Sequence, residues 1–359
     1  MKFPPLQLGD IKVRIPIIQG GMGIGISRSR LAAAVAEAGG IGTISAVQAG
    51  FREADFERNT RAANIRGLKK EIKRARELCA NGTLAVNILT AINDYKEMVV
   101  AAVEEKIDLI VSGAGLPREL PALIKGTRTK IAPIVSSGKA AKLLAKLWDR
   151  KFNYAPDLVI VEGTEAGGHL GFPMSVLNSE PKPDLKALLL EVINALAEFE
   201  QKYQKKIPVV AAGGIFDGRD IAAFMKLGAA GVQLATRFVT TEECDAHGNF
   251  KLAYLRAGKE DLQLVKSPVG MPGRAIRNKF IAETEKSNLP VERCYNCLRP
   301  CDLRTTPYCI SRALINAVNG DTENGLIFAG SNVYRLHKLT TVKELMHELV
   351  TETEACLVD

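Results

Sequence analysis

No apolar stretch of this chain reaches the roughly 18–20 residues that a membrane-spanning helix needs. The N-terminal Met1-Lys2-Phe3-Pro4-Pro5-Leu6 lacks the continuous apolar core of a secretory signal. Both absences lead to the expectation of a cytoplasmic protein with no membrane partner. Aromatic residues are only 6% of the chain and do not interleave with its basic runs, which counts against nucleic-acid binding. The formal charge is nevertheless +8. Runs such as Lys69-Lys70-Glu71-Ile72-Lys73-Arg74-Ala75-Arg76-Glu77 place acids beside the bases, the pattern of a solvated helix face. A moderate positive field of this kind favours anionic small molecules. Histidine is also scarce, four in 359 residues, so the surroundings of each one carry information.

What the chain has is rhythm. It is 47% hydrophobic and 25% charged, an ordinary globular composition, and long enough for an α/β barrel in one unit. Short runs rich in Val and Ile predict strands over 15–22, 41–46, 84–89, 109–114, 130–137, 158–163, 208–214 and 231–238. They are continuously apolar rather than alternating, as strands buried on both faces are. Helical stretches are predicted between them over 28–38, 61–80, 94–105, 117–125, 139–151, 184–203 and 217–227. Ser27 reads as an N-cap for the first of these, and Gly39-Gly40 ends it. Strand and helix repeated eight times predict a (β/α)8 TIM barrel, with a doubly wound sheet as the rival. Beyond residue 240 the rhythm breaks. The expected organisation is a barrel core over 1–240, a Cys-containing insertion after strand eight over 241–307, and C-terminal helices over 308–359 that complete the barrel.

Glycine and polar residues gather at the C-terminal ends of the predicted strands, where parallel barrels place their sites. The densest group is Glu162-Gly163-Thr164-Glu165-Ala166-Gly167-Gly168-His169-Leu170-Gly171. Four glycines in ten residues are expensive to order and suit a backbone that something must approach closely. A histidine there can exchange protons near neutral pH. Ala212-Gly213-Gly214 ends strand seven, and Gln233-Leu234-Ala235-Thr236-Arg237 ends strand eight; loops after these two strands commonly bind phosphate through backbone N–H groups. Gly20-Gly21-Met22-Gly23 follows strand one, where a close backbone and a soft Met22 suit a flat ring.

These motifs in this order resemble the nitronate monooxygenase family, formerly called 2-nitropropane dioxygenase, which includes the FMN-dependent enoyl-ACP reductase II enzymes. The resemblance runs over residues 10–240, with the 325–330 stretch and the terminal helix. It implies an FMN-binding barrel acting on a small molecule. Gly21, Met22 and Asn87 would lie at the isoalloxazine or ribityl chain, and Glu165 and Gly168 near the ring. Gly213, Gly214, Ala235 and Thr236 would hold the phosphate, with Gln233 nearby. His169 would be the catalytic residue. The leading expectation is oxidation of alkyl nitronates with oxygen; the alternative is an NAD(P)H-dependent enoyl-thioester reductase. A homodimer is the expected assembly.

Four of the seven cysteines are clustered as Cys294, Cys297, Cys301 and Cys309, a C-x2-C-x3-C-x7-C spacing. Four soft ligands so close predict a metal site, open between zinc and a [4Fe–4S] cluster. Pro300 argues against a regular helix, and a cytosolic setting against disulfides. The C-x2-C-x3-C element is similar to the cluster-binding stretch of 2,4-dienoyl-CoA reductase. An iron–sulfur relay would suit the reductase alternative.

Overall fold

Eight parallel strands close into a barrel in this computed structural model, which describes residues 3–358. They are Ile17–Gln19, Ile41–Ser45, Thr83–Leu89, Leu109–Gly113, Lys130–Val135, Val159–Glu162, Val209–Ala212 and Gly231–Leu234. Each pairs with its successor, and the eighth returns to the first with Val232 opposite Ile17. Closure makes the fold a (β/α)8 barrel and excludes the doubly wound sheet. The lumen is filled by inward residues such as Ile18, Ile41, Leu109 and Ile160. A hairpin of Leu6–Leu8 with Ile11–Val13 adds Leu6, Leu8 and Val13 to that same cluster.

The first and eighth strands are shorter than predicted. Strand one stops at Gln19, where the glycine run begins to turn. Strand eight stops at Leu234, and Thr236–Val239 forms a helical turn instead. Arg237 leaves the sheet there, pairs with Glu348 at 2.7 Å and stacks on Phe216. The predicted 117–125 helix shrinks to Leu120–Leu123.

The Ser27 cap is also corrected. The helix is Ser29–Glu37, and Ser27 Oγ instead accepts the Met22 N–H at 2.8 Å within the turn after strand one. Two distant carboxylates serve the helix start. Asp245 accepts the Arg28 N–H at 3.0 Å, and Glu71 accepts the Ser29 N–H at 2.8 Å. Elsewhere the local signals act as expected: Asp217 caps Gly218–Lys226 and Thr341 caps Val342–Cys356, each in a capping box. The mixed-charge helix Thr60–Leu78 is laced to its neighbours by pairs such as Lys69–Glu104 and Arg76–Asp108.

After the barrel strands come the helix Gly248–Arg256, the antiparallel pair Leu262–Val265 and Gly273–Ile276, and the helices Lys279–Lys286 and Ile310–Val318. The last helix, Val342–Cys356, packs against Gly218–Lys226 and Ser29–Glu37. Gly218 is forced there, because a Cβ on it would lie 2.3 Å from Glu352 Cβ. Among the described residues no helix is long and apolar enough to cross a membrane.

Candidate active site

A cavity of about 730 Å3 opens at the C-terminal ends of the barrel strands, within the range of small-molecule and cofactor sites. One wall is the turn after strand one. A Cβ on Gly21 would stand 2.3 Å from Asn87 Cβ, and one on Gly23 would stand 2.7 Å from Ser45 Oγ. Only glycine lets this backbone lie against strands two and three. Two hydroxyls nearby, Thr43 Oγ1 and Ser45 Oγ, are buried with no hydrogen-bond partner, and Ser45 lines the cavity.

The opposite wall is the glycine-rich loop after strand six. Gly167 is in contact with the backbone of Ala329-Gly330, where a Cβ would lie 2.5 Å from the Gly330 nitrogen. Gly168–His169 then forms a short strand antiparallel to Gly273–Arg274. Buried Arg274 reaches back with Nη1 and donates to the carbonyls of Thr164 and Ala166, both at 2.7 Å. Ser136 Oγ donates to the Gly171 carbonyl at 2.8 Å. The loop is therefore stapled from both sides.

This frame holds His169. Its Nε2 lies 2.7 Å from Ser267 Oγ, and the ring meets Phe328 edge-on, centroids 4.9 Å apart. The imidazole is partly buried in the cavity wall, and this burial pulls its pKa down to about 4. It is neutral at pH 7. Glu162, at the end of strand six, also lines the cavity, and burial pushes its carboxyl up to about 7. Both groups stay reachable from the cavity while charge on either one is penalised.

Of the expected site residues, Gly21, Met22, Asn87, Gly168, His169, Gln233, Ala235 and Thr236 line this one cavity. Glu165, Gly213 and Gly214 stand behind it. Gly213 and Gly214 have φ of +91° and +84°, packed against Ala166 and Glu165. Asn332 Nδ2 donates to the Gly214 carbonyl at 2.6 Å, and Gly330 N donates to Thr236 Oγ1 at 3.2 Å. Glu165 is half-exposed, with Lys182 at 4.0 Å. Ser267, Arg274 and Phe328 were not singled out by sequence reasoning. They come from the segment after the barrel strands, where no motif marks Ser267 or Arg274, while Phe328 lies within the 325–330 stretch that carries part of the resemblance.

The four clustered cysteines are free, and Cys294 and Cys297 line the main cavity. Among the described residues no three His, Cys, Asp or Glu side chains are gathered closely enough to hold a metal ion.

Residues 6–352 match the family described as nitronate monooxygenase. A probable nitronate monooxygenase of Staphylococcus aureus (strain MRSA252) is 29% identical over 308 residues, 76% of this chain and 78% of that protein. The (3aS,4S,5R,7aS)-5-hydroxy-7a-methyl-1-oxo-octahydro-1H-indene-4-carboxyl-CoA dehydrogenase of Rhodococcus jostii (strain RHA1) is 29% identical over 277 residues, 77% of this chain and 67% of that protein. Among solved structures, FabK from Thermotoga maritima superposes with a TM-score of 0.75 at 28% identity, covering 96% of this chain and 94% of that one. The nitroalkane oxidase from Streptomyces ansochromogenes shares the fold, with a TM-score of 0.74 at 24% identity over 96% and 97% of the two chains.

Proposed function

Because the chain belongs to the nitronate monooxygenase family, a family of flavin-dependent oxidoreductases, we propose that it oxidises alkyl nitronates with molecular oxygen using FMN. The observation that carries this reading is His169: a neutral imidazole, fixed by Ser267, facing a cavity walled by glycine.

The residues present fit a flavin. The cavity has the volume, the Gly21 and Gly167 walls leave backbone where side chains would intrude, and Ser45 offers an unpaired hydroxyl in its lining. Gly21, Met22, Asn87 and Gly168 would lie along the ring and ribityl chain. Gln233, Ala235 and Thr236 would face the phosphate end, with Gly213 and Gly214 shaping the turn behind them and Glu165 supporting that turn. When bound, the flavin supplies the electron acceptor through which a nitronate reacts with oxygen.

The chain's own part is binding and orientation. Ser267 Oγ also accepts the Val269 N–H at 3.3 Å, and we assign its hydroxyl hydrogen to His169 Nε2. The proton of the neutral ring then sits on Nδ1, where it can be donated to a nitronate oxygen. A base whose conjugate acid has a pKa of about 4 is a poor acceptor for a carbon-bound proton. His169 therefore suits a substrate that arrives as an anion better than a neutral nitroalkane that must first be deprotonated. Phe328 and the stapled loop limit water around the ring.

A second reading is an NAD(P)H-dependent enoyl-thioester reductase. The likeness to FabK over 96% of the chain favours it, as does Arg58 in the cavity lining, suited to a phosphate of a thioester carrier. Anaerobic mixing separates the two. A change in the visible flavin spectrum with propyl-1-nitronate, and none with NADH or NADPH, supports the monooxygenase. Rapid flavin bleaching by either nicotinamide overturns it in favour of the reductase.

A further inference from the structure

From residue 287 to residue 309 the chain forms no helix and no strand. A stretch that long without regular structure inside a folded domain is functional or held by something other than its own ladder. Here it is held by buried side chains, Leu298 and Tyr308 in one core cluster and Tyr295 in another, and by scattered backbone bonds. Asn93 N donates to the Cys297 carbonyl at 3.1 Å, Arg299 N to the Ala91 carbonyl at 2.9 Å, and Leu289 N to the Pro307 carbonyl at 2.8 Å.

Cys294, Cys297, Cys301 and Cys309 all line one small cavity of about 40 Å3 inside this stretch, with Tyr308 and Thr306. Four further features suit sulfur ligands. Asn296 takes a left-handed conformation, φ +47°, which turns the chain between the first two cysteines. Its N–H donates to Cys294 Sγ at 3.3 Å, the kind of backbone bond that offsets charge on a ligating thiolate. Cys309 is the N-cap of the helix Ile310–Val318, so its sulfur stands at the end of a helix that favours negative charge. Arg293 and Arg312 flank the site, both over the Tyr295 ring at 5.8 and 5.7 Å. Both also pair with Glu57, at 3.3 and 3.5 Å, so the three groups leave one net positive charge beside the sulfurs, which suits the net negative charge of a metal held by four thiolates.

We propose that Cys294, Cys297, Cys301 and Cys309 form a tetrathiolate metal centre, taking zinc or a [4Fe–4S] cluster, that staples the 287–309 stretch against the rim of the main cavity. The four sulfurs share this cavity without three of them being gathered around one point, so binding a metal would draw them together. Cys294 and Cys297 line both cavities, which puts the centre in the wall of the main site.

The test is metal and acid-labile sulfide analysis of the full-length protein, purified without oxygen and without an affinity metal. About one zinc per chain, or about four irons with four sulfides, supports the proposal and says which centre is present. The content should fall at least about tenfold in Cys301→Ser and in Cys297→Ser, and stay unchanged in Cys356→Ser, a cysteine outside the cluster. Circular dichroism of each variant checks that the barrel remains folded. Wild-type protein that is folded, free of metal after growth with added zinc and iron, and has all four thiols open to a thiol reagent overturns it. Metal that persists in Cys301→Ser and Cys297→Ser overturns it as well.

Discussion

Ser267 Oγ lies 2.7 Å from His169 Nε2, although 98 residues separate them in the chain. The contact joins the loop after strand six to the segment that follows the barrel strands. It makes the histidine's tautomer a property of that later segment. Ser267→Ala should keep flavin bound and lower kcat/KM for a nitronate by about tenfold, because the ring keeps its place but loses its partner. His169→Ala should also keep the flavin colour and lose about 10²–10⁴ in turnover. Steady-state kinetics on both variants check this. Unchanged turnover in His169→Ala would remove the histidine from the reaction.

Arg274 holds the glycine-rich loop by two hydrogen bonds from one nitrogen, to Thr164 and Ala166. The guanidinium is buried, and burial works against its charge. Truncation to Ala leaves two carbonyls without their donor, at a cost of about 2–4 kcal/mol in stability. Arg274→Lys should recover only part of that, since a shorter side chain with a freely rotating ammonium lacks the planar, fixed pair of N–H bonds that Nη1 directs at the two carbonyls. Urea unfolding gives the stability change. Flavin titration should show weaker binding in both variants, because the stapled loop forms one wall of the cavity.

The barrel could be read from the sequence because its strands are buried on both faces, and continuous runs such as Leu158-Val159-Ile160-Val161 leave few other readings. Glycine motifs at strand ends were readable for the same local reason. What could not be read depends on distance. Ser27 looks like a cap from its neighbours alone, yet Asp245 and Glu71 serve that helix from elsewhere in the chain. Ser267 and Arg274 are single polar residues in a segment without rhythm. Their roles arise only when Gly273–Arg274 pairs with Gly168–His169. The end of strand eight was overextended because Phe238 and Val239 are as apolar in a buried helical turn as in a strand.

Gly21 offers a test of the close wall. An added Cβ would stand 2.3 Å from Asn87 Cβ and 3.0 Å from its Cγ. Gly21→Ala should cost about 1–3 kcal/mol through overpacking and weaken flavin binding. The partner decides the rescue. Adding Asn87→Ala should recover little, because the nearer clash is with Cβ itself. Adding Asn87→Gly removes both atoms and should recover more of the flavin affinity despite the cost of glycine in a strand. Equal rescue by the two would show that the wall yields by moving backbone, contrary to the packing seen here.

Glu162 and His169 make opposite demands on pH. The glutamate moves from its ordinary 4.5 to about 7 on folding, so between those values the folded protein keeps a proton that the unfolded chain has released. Stability from this group falls as pH rises through that window. The histidine moves from 6.5 to about 4, so the unfolded chain takes up a proton that the folded one refuses. Stability from this group rises with pH through its window. The two slopes oppose each other where the windows overlap, and only the glutamate still acts above the ordinary histidine value. In protein stripped of flavin, Glu162→Gln should therefore raise Tm at about pH 8 and change it little at about pH 5. His169→Gln should do the reverse, with its gain on the acid side. Thermal unfolding of both variants across the range reads the two signs separately. A Glu162→Gln effect that does not vary with pH would mean that the carboxylate is solvated in the cavity, and a gain confined to acid pH would mean that folding favours its charge; either result would end the pairing of a reluctant acid with a reluctant base.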